Sequence, residues 1–257
     1  MSDQQGRIVV VTGGASGIGA ASAAVLASEG WRVVVAGHNL AQAQLVADRV
    51  GGVAWYIDVA SDDSVANAAR EIEAEIGPVY GLVNSAGILQ KPLAPHQFSM
   101  EEWDRVQSVN FRGSYITNLA FARAMLVRKS GSIVNISSIS GSRSMPLHSY
   151  APAKAAVISM TQCLAAEWGT SSLRVNSVAP GYTLTPALAA AIERGERQVE
   201  GATSNSPLRE LVRPEQVGDA VAFLLSDRAS AITGVDLAVD CGWLVGTGWD
   251  MYGGLRK

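Results

Sequence analysis

Hydrophobic positions along this chain follow two rhythms. Short runs rich in β-branched residues occur at Arg7–Thr12, Arg32–Ala36, Val53–Ile57, Gly81–Asn84, Ser132–Ile136, Arg174–Val178 and Val235–Val239, and they are almost wholly apolar. A strand with one wet face alternates polar and apolar residues, so unbroken runs predict strands covered on both faces. Longer Ala-rich segments lie between them, near 17–29, 40–50, 62–76, 100–128, 150–169 and 214–226, and read as helices. The second of these starts after Asn39 and ends before Gly51-Gly52; the third follows Ser61 and stops at Gly77-Pro78. Short polar side chains cap helix starts, and glycine or proline ends helices. Sustained strand–helix alternation predicts a parallel sheet with right-handed crossovers.

Residues 183–213 break the rhythm: helix-compatible Pro186–Arg194 is followed by polar Gly201–Ser206. This stretch is expected to be a lid over a site, although an ordinary surface excursion would read similarly. With no linker, repeat or low-complexity tract, the 257 residues predict one domain, and 48% hydrophobic residues suffice for a two-faced core. The formal net charge is −3, with acids and bases scattered. That excludes a nucleic-acid footprint or a polybasic membrane surface. Cys163 and Cys241 match no metal-ligand spacing, so no metal site is expected. Ile8–Ser28 is uncharged but broken by Gly13, Gly14, Gly17 and Gly19, as suits strand, turn and helix rather than a signal peptide or membrane span. A soluble cytoplasmic protein follows as the expectation.

Chemistry enters at two places. The first strand–helix turn reads Thr12-Gly13-Gly14-Ala15-Ser16-Gly17-Ile18-Gly19. Glycines there permit a tight turn and close backbone approach to a pyrophosphate, and the helix N-terminus adds N–H donors and partial positive charge. The second place is Tyr150 and Lys154, four apart in Ser-Tyr-Ala-Pro-Ala-Lys, hence on one helix face. An ammonium beside a phenol stabilises the phenolate and makes proton exchange with an alcohol or ketone feasible near neutral pH. Pro152 suits the first turn of a helix beginning there. Taken alone, the pair is more commonly just a solvated helix surface.

Together, Thr-Gly-x-x-x-Gly-Ile-Gly at 12–19, Asn84-Ser85-Ala86-Gly87, Tyr150-x-x-x-Lys154 and Pro180-Gly181 resemble the short-chain dehydrogenase/reductase family over essentially residues 1–242. The resemblance implies a three-layer α/β/α Rossmann fold with a doubly wound, mostly parallel seven-stranded sheet. It implies an NAD(P)-dependent oxidoreductase interconverting an alcohol and a carbonyl compound. Tyr150 would exchange the proton, Lys154 would lower its pKa and hold the nicotinamide ribose, and Ser138 would bond the substrate oxygen. Asn110 would keep a relay water near Lys154, or else be a helix-bending residue satisfied by backbone. Gly13, Ser16, Gly17, Ile18 and Gly19 would cradle the pyrophosphate. Asn84, Ala86 and Gly87 would lie against the adenosine ribose, and Asp58 and Val59 would meet the adenine. Without the family, Asp58 reads as a turn residue or cap. Pro180, Gly181, Thr183 and Thr185 would border the nicotinamide carboxamide. A homodimer or homotetramer would form through helices 100–128 and 150–169, whose Ala120, Ala122, Ala124, Ala155, Ala156, Ala165 and Ala166 permit close approach.

Two departures matter. Ser138 lies twelve residues before Tyr150, one fewer than the commonest family spacing, which leaves Ser137 as the alternative serine. The second strand ends in Gly37-His38-Asn39, without the acid that binds a ribose 2′-hydroxyl and repels a 2′-phosphate. His38 could bond a 2′-phosphate, although histidine carries only partial charge at neutral pH, and it reads otherwise as a plain loop residue. The balance favours NADP(H), with NAD(H) the alternative.

Substrate walls are expected from Gln90–His96, Ser140–Ser149 and Tyr182–Ser206, whose mixed polarity suits a sugar, polyol or small keto compound. The tail 243–257, with Trp243, Trp249 and Tyr252 among glycines, predicts docking on a neighbouring subunit or over an active site, against packing on its own core. The rival functions are a regulatory or scaffold protein that binds the cofactor without useful catalysis, and a dehydratase or epimerase on this scaffold.

Overall fold

The computed structural model describes residues 5–196 and 198–255, with the backbone alone at Asp250. Strands β1 (Ile8–Thr12), β2 (Arg32–Gly37), β3 (Val53–Tyr56), β4 (Val79–Asn84), β5 (Gly131–Ile136), β6 (Leu173–Pro180) and β7 (Asp236–Val239) form one sheet in the order β3-β2-β1-β4-β5-β6-β7. Every pairing is parallel rather than mostly so. The chain winds one way from β1 to β3 and the other from β4 to β7. The crevice at the carboxyl ends of β1 and β4 is therefore the switch point at which such sheets take ligands.

The unbroken apolar runs are explained by two covering layers. Val9, Val11, Val33 and Val35 pack against Leu26 of α1 (Gly17–Ser28), Val46 of α2 (Leu40–Val50) and Val221 of α9 (Pro214–Leu225). Val10 and Val34 point the other way, to Ile72 of α3 (Asp62–Glu75), Phe121 of α5 (Gly113–Arg128) and Val157 of α6 (Tyr150–Trp168). Neighbouring strand residues face opposite sides, so each strand needs apolar residues at every position. Phe121 is 1% exposed, and its truncation to alanine should cost about 3–5 kcal/mol. Helix ends follow the expected chemistry: Asn39 accepts from the Gln42 N–H at 3.0 Å, and Ser61 accepts from Ser64 at 3.3 Å. Gly51 closes α2 in the left-handed region at φ +64°.

One helix expectation needs correction. Residues 100–128 are not a single helix: α4 (Met100–Gln107) widens into a π turn at Ser108–Arg112 before α5. Such bulges arise where something intervenes in the helical ladder. Here the Asn110 side chain engages the Ile88 backbone in both directions, and Gly113 presses against Val59, where an added Cβ would lie 2.9 Å from the carbonyl.

β5 and β6 also carry buried polar residues. Asn84 donates to Asn118 (2.8 Å) and Asn135 (2.9 Å), and Asn135 donates to Thr161 (3.0 Å), tying β4, β5, α5 and α6 together. On β7, the Asp236 carboxylate accepts from Ser137 and Ser177, both at 2.6 Å.

The 183–213 excursion has a closed base, where Leu184 donates to the Val212 carbonyl (2.8 Å) and Val212 to that of Tyr182 (2.9 Å). Above it lie α7 (Pro186–Glu193) and α8 (Val199–Thr203). The tail divides. α10 (Trp243–Gly246) packs on this excursion, with the Trp243 ring edge-on to Tyr182 at 5.8 Å and Gly242 and Gly246 against Pro207. Beyond it, Met251 and Tyr252 are 91% and 84% exposed. No described helix is long and apolar enough to cross a membrane.

Candidate active site

The glycine turn is dictated by contacts that no side chain could share. Gly13 has φ +64°, and a Cβ there would lie 2.7 Å from the Ala86 backbone; one on Gly19 would collide with the Gly13 carbonyl. The strand-end segment Asn84–Gly87 therefore lies directly on the turn. Ser16 precedes α1 without capping it, and the first turn of α1 holds no acid. Its N–H groups and dipole are left to an anion. A Cβ on Gly17 would touch the Thr185 methyl at 3.5 Å, so the segment after Pro180-Gly181 folds back over the same turn. Thr185 also caps α7, accepting from Leu188 at 3.3 Å. Gly37 faces Ala15, with exposed His38 immediately after it. Asp58 closes a turn on the Ala60 N–H at 2.9 Å. These clearances and donors fit a dinucleotide laid from β2 across β1 to β4.

The second cluster sits where β5 and α6 approach. Lys154 is 4% exposed and donates to the Ile136 carbonyl at 2.7 Å. Its Nζ lies 5.6 Å from the centre of the Tyr150 ring. A Cβ on Gly87 would be 2.7 Å from Asn110 Oδ1 and 3.8 Å from Lys154 Nζ, which brings glycine segment, asparagine and lysine into one wall. Asn110 spends both ends of its amide on Ile88, at 2.9 Å each way, so the backbone-satisfied reading holds as seen here.

The two serines separate cleanly. Ser137 is turned to Asp236 and the Val178 carbonyl, whereas Ser138 faces Tyr150. Ser138 Oγ in turn accepts from the Ser140 hydroxyl at 3.0 Å and from its N–H at 3.2 Å. With both donors arriving from Ser140, the Ser138 proton is left to point at the phenol. Burial raises the Tyr150 phenol above its ordinary value, and the Ser138 hydrogen bond pulls it back. Burial pushes Lys154 down to about 8. The ammonium thus sits near its own titration point, held by a carbonyl rather than by the phenol oxygen.

A family model described as enoyl-(acyl carrier protein) reductase matches residues 13–244. The chain is 39% identical to the cis-4-hydroxycyclohexanecarboxylate dehydrogenase of Sinomonas cyclohexanicum, over 92% of this chain and 96% of that one. It is 38% identical to the galactitol 2-dehydrogenase of Rhizobium johnstonii, over 93% and 95%. The chain belongs to the short-chain dehydrogenase/reductases. A solved structure described as a ribose-5-phosphate isomerase from Brucella melitensis 16M shares this fold at TM-score 0.97 and 45% identity, covering 100% of this chain and 99% of that one. As a short-chain dehydrogenase/reductase, the protein is an oxidoreductase interconverting an alcohol and a ketone at CH–OH groups.

Sequence reasoning about this short-chain dehydrogenase/reductase left some contacts out. Ser140, which orients Ser138, is one. Gln90 and Gln107, which hold the start of α6, are two more. Gln90 and Ser140 fell within expected substrate walls, but nothing in the local pattern distinguishes an orienting residue from a lining one.

Proposed function

We propose that the protein oxidises a secondary alcohol on a polyol, sugar or small ring, or reduces the matching ketone, with Tyr150 as general acid/base. The observation that carries this is the convergence of Tyr150, Ser138 and Lys154 beside the glycine turn. Gly13, Ser16, Gly17, Ile18 and Gly19 would hold the pyrophosphate, with Asp58 and Val59 at the adenine and Asn84, Ala86 and Gly87 at its ribose. Pro180, Gly181, Thr183 and Thr185 would border the nicotinamide. When bound, the nicotinamide supplies or accepts the hydride. Tyr150 Oη holds the proton exchanged with the substrate oxygen, and Ser138 Oγ donates to that oxygen as its charge develops. Lys154, kept dry, favours the phenolate most once another ligand draws it off the Ile136 carbonyl. The excursion over 183–213 closes as a lid, since Thr185 already faces the turn it would cover, with room left beside Gly17 for no more than a Cβ.

The strand end Gly37-His38 lacks a repelling acid, which favours NADP(H) over NAD(H). Exposed Ala155 and Ala166 on α6, with exposed Tyr115 and Val127 on α5, support a homodimer or homotetramer through those helices. The names of the two dehydrogenase relatives support hydroxylated rings and polyols as the substrate class. The likeness to the structure described as an isomerase favours a second reading, in which a sugar phosphate turns over with no net change of nicotinamide. A screen of polyols, cyclic hydroxy acids and pentose phosphates with both cofactors, followed at the nicotinamide absorbance and by product analysis, separates the two. Turnover without absorbance change would overturn the dehydrogenase assignment. A kcat/KM preference for NAD above tenfold would overturn the NADP(H) reading.

A further inference from the structure

The helix that carries Tyr150 begins at Tyr150 itself, and its first N–H groups cannot find partners within the helix. Their partners can be accounted for one by one. Pro152 has no N–H. Ala153 donates to the Ser149 carbonyl at 3.1 Å, and Ala151 to that of Leu147 at 2.9 Å. The N–H groups of Ser149 and Tyr150 both go to a single atom from a distant loop, Gln90 Oε1, at 2.6 and 2.8 Å. Ser149, the residue normally placed to cap, makes no side-chain cap. Its hydroxyl donates to the Trp103 carbonyl at 3.1 Å, and Gln107 Nε2 lies 2.8 Å from its carbonyl and 3.2 Å from its hydroxyl. The orientation of the Gln90 amide is fixed, because only its oxygen can accept from two N–H groups.

We propose that Gln90 is a positioning residue for Tyr150, capping the catalytic helix from outside and setting the phenol's place relative to the glycine turn. Gln90 is 4% exposed. It stands at the end of a short segment that already carries Ala86, packed on Gly13, and Ile88, bonded to Asn110. Seven residues, 84–90, thus tie the cofactor turn, the π turn and the start of α6 into one frame. Reacting groups misplaced by about 1 Å lose rate steeply, so a cap that fixes the helix origin acts on kcat more than on binding.

The chemistry also explains an amide rather than an acid. A carboxylate would accept the same two N–H groups, and a helix N-terminus would welcome its charge. It would also set an anion at the backbone origin of the residue whose phenol must become phenolate. Of the ionisable side chains on the segments that meet here, Lys154 lies 5.6 Å from the Tyr150 ring, His148 precedes Tyr150 by two residues, Lys91 follows Gln90, and Glu102 on α4 is bonded to Arg105 at 2.7 Å. Glutamine supplies the acceptor without adding charge to that set.

This inference rests on Tyr150 as the proton-transferring group, which Tyr150→Phe tests separately. The experiment compares Gln90→Glu and Gln90→Leu with the wild-type holoenzyme, using a polyol or cyclic alcohol that the wild type oxidises. Gln90→Leu should lower kcat tenfold or more with KM within about twofold. Gln90→Glu should approach wild-type kcat at high pH, with the ascending, acid-side limb of the kcat–pH profile for alcohol oxidation moved upward by half a pH unit or more. Wild-type kcat and profile in both variants would overturn the proposal, as would a rise in KM with unchanged kcat, which marks a substrate contact instead. If Gln90→Leu fails to fold, an unmoved profile in Gln90→Glu overturns it alone. An active Tyr150→Phe enzyme would instead remove the premise, a result distinguishable from failure of the cap.

Discussion

Replacing Lys154 by methionine tests how strongly the site holds an ammonium out of water. The side chain is 4% exposed, and burial takes it from the ordinary 10.5 to about 8. At about 1.4 kcal/mol for each tenfold step, keeping the ammonium charged in the folded state costs about 3 kcal/mol. The sign follows from proton counts. Between pH 8 and 10.5 the unfolded chain keeps the lysine proton while the folded chain releases it, so wild-type stability rises with pH across that window. Below pH 8 both states are protonated and the handicap is constant. The methionine variant has no proton to release at this position. Urea denaturation of both proteins without nicotinamide, at pH steps from 7 to 10.5, should show the wild type gaining about 3 kcal/mol on the variant. The pH-independent loss of the bond to the Ile136 carbonyl cancels from this slope. Parallel stability profiles would refute the buried, weakened ammonium.

Three further outcomes follow from the geometry. Gly13→Ala places a Cβ 2.7 Å from the Ala86 backbone at φ +64°, and should cost about 2 kcal/mol or more and weaken NADPH binding in a fluorescence titration; unchanged affinity would detach this turn from the cofactor. Asp236→Ala leaves the buried Ser137 and Ser177 hydroxyls without their 2.6 Å acceptor and should cost about 2 kcal/mol in denaturant, with Asp236→Asn restoring most of it. Deleting residues 247–257 spares α10 but removes exposed Met251 and Tyr252. A smaller assembly by light scattering, or a raised KM, is expected; unchanged assembly and kinetics would eliminate docking of the tail.

The sheet was legible because both faces are buried, so each strand wrote itself as an apolar run with no alternation. Asn39, Ser61 and Gly51 announced helix ends because caps are local, set by residues within one turn. The break at Ser108–Arg112 was legible only in part: Asn110 read as a helix-bending residue satisfied by backbone, but the backbone that satisfies it is Ile88, 22 positions away. Distance also hid the partners of Gln90, which reaches Tyr150 across 60 positions, and of Asp236, which meets Ser137 across 99. Ser138 over Ser137 came from the family resemblance, against the commonest spacing, which left Ser137 open; the two differ physically in that Asp236 claims the Ser137 hydroxyl while Ser140 orients that of Ser138. The tail packs its first turn on the chain's own 183–213 excursion, while Met251 and Tyr252 lie exposed. Burial also outweighs the expected help from Lys154, because the ammonium is engaged with a carbonyl.

The central claim is that Tyr150 carries the proton in an alcohol–ketone interconversion. Its most direct test is pre-steady-state turnover of Tyr150→Phe with a secondary alcohol that the wild type oxidises, read at the nicotinamide absorbance alongside cofactor affinity. The account predicts a rate lower by about 10²–10⁴-fold with cofactor affinity within a factor of about three. A variant retaining a tenth or more of the wild-type rate would contradict it.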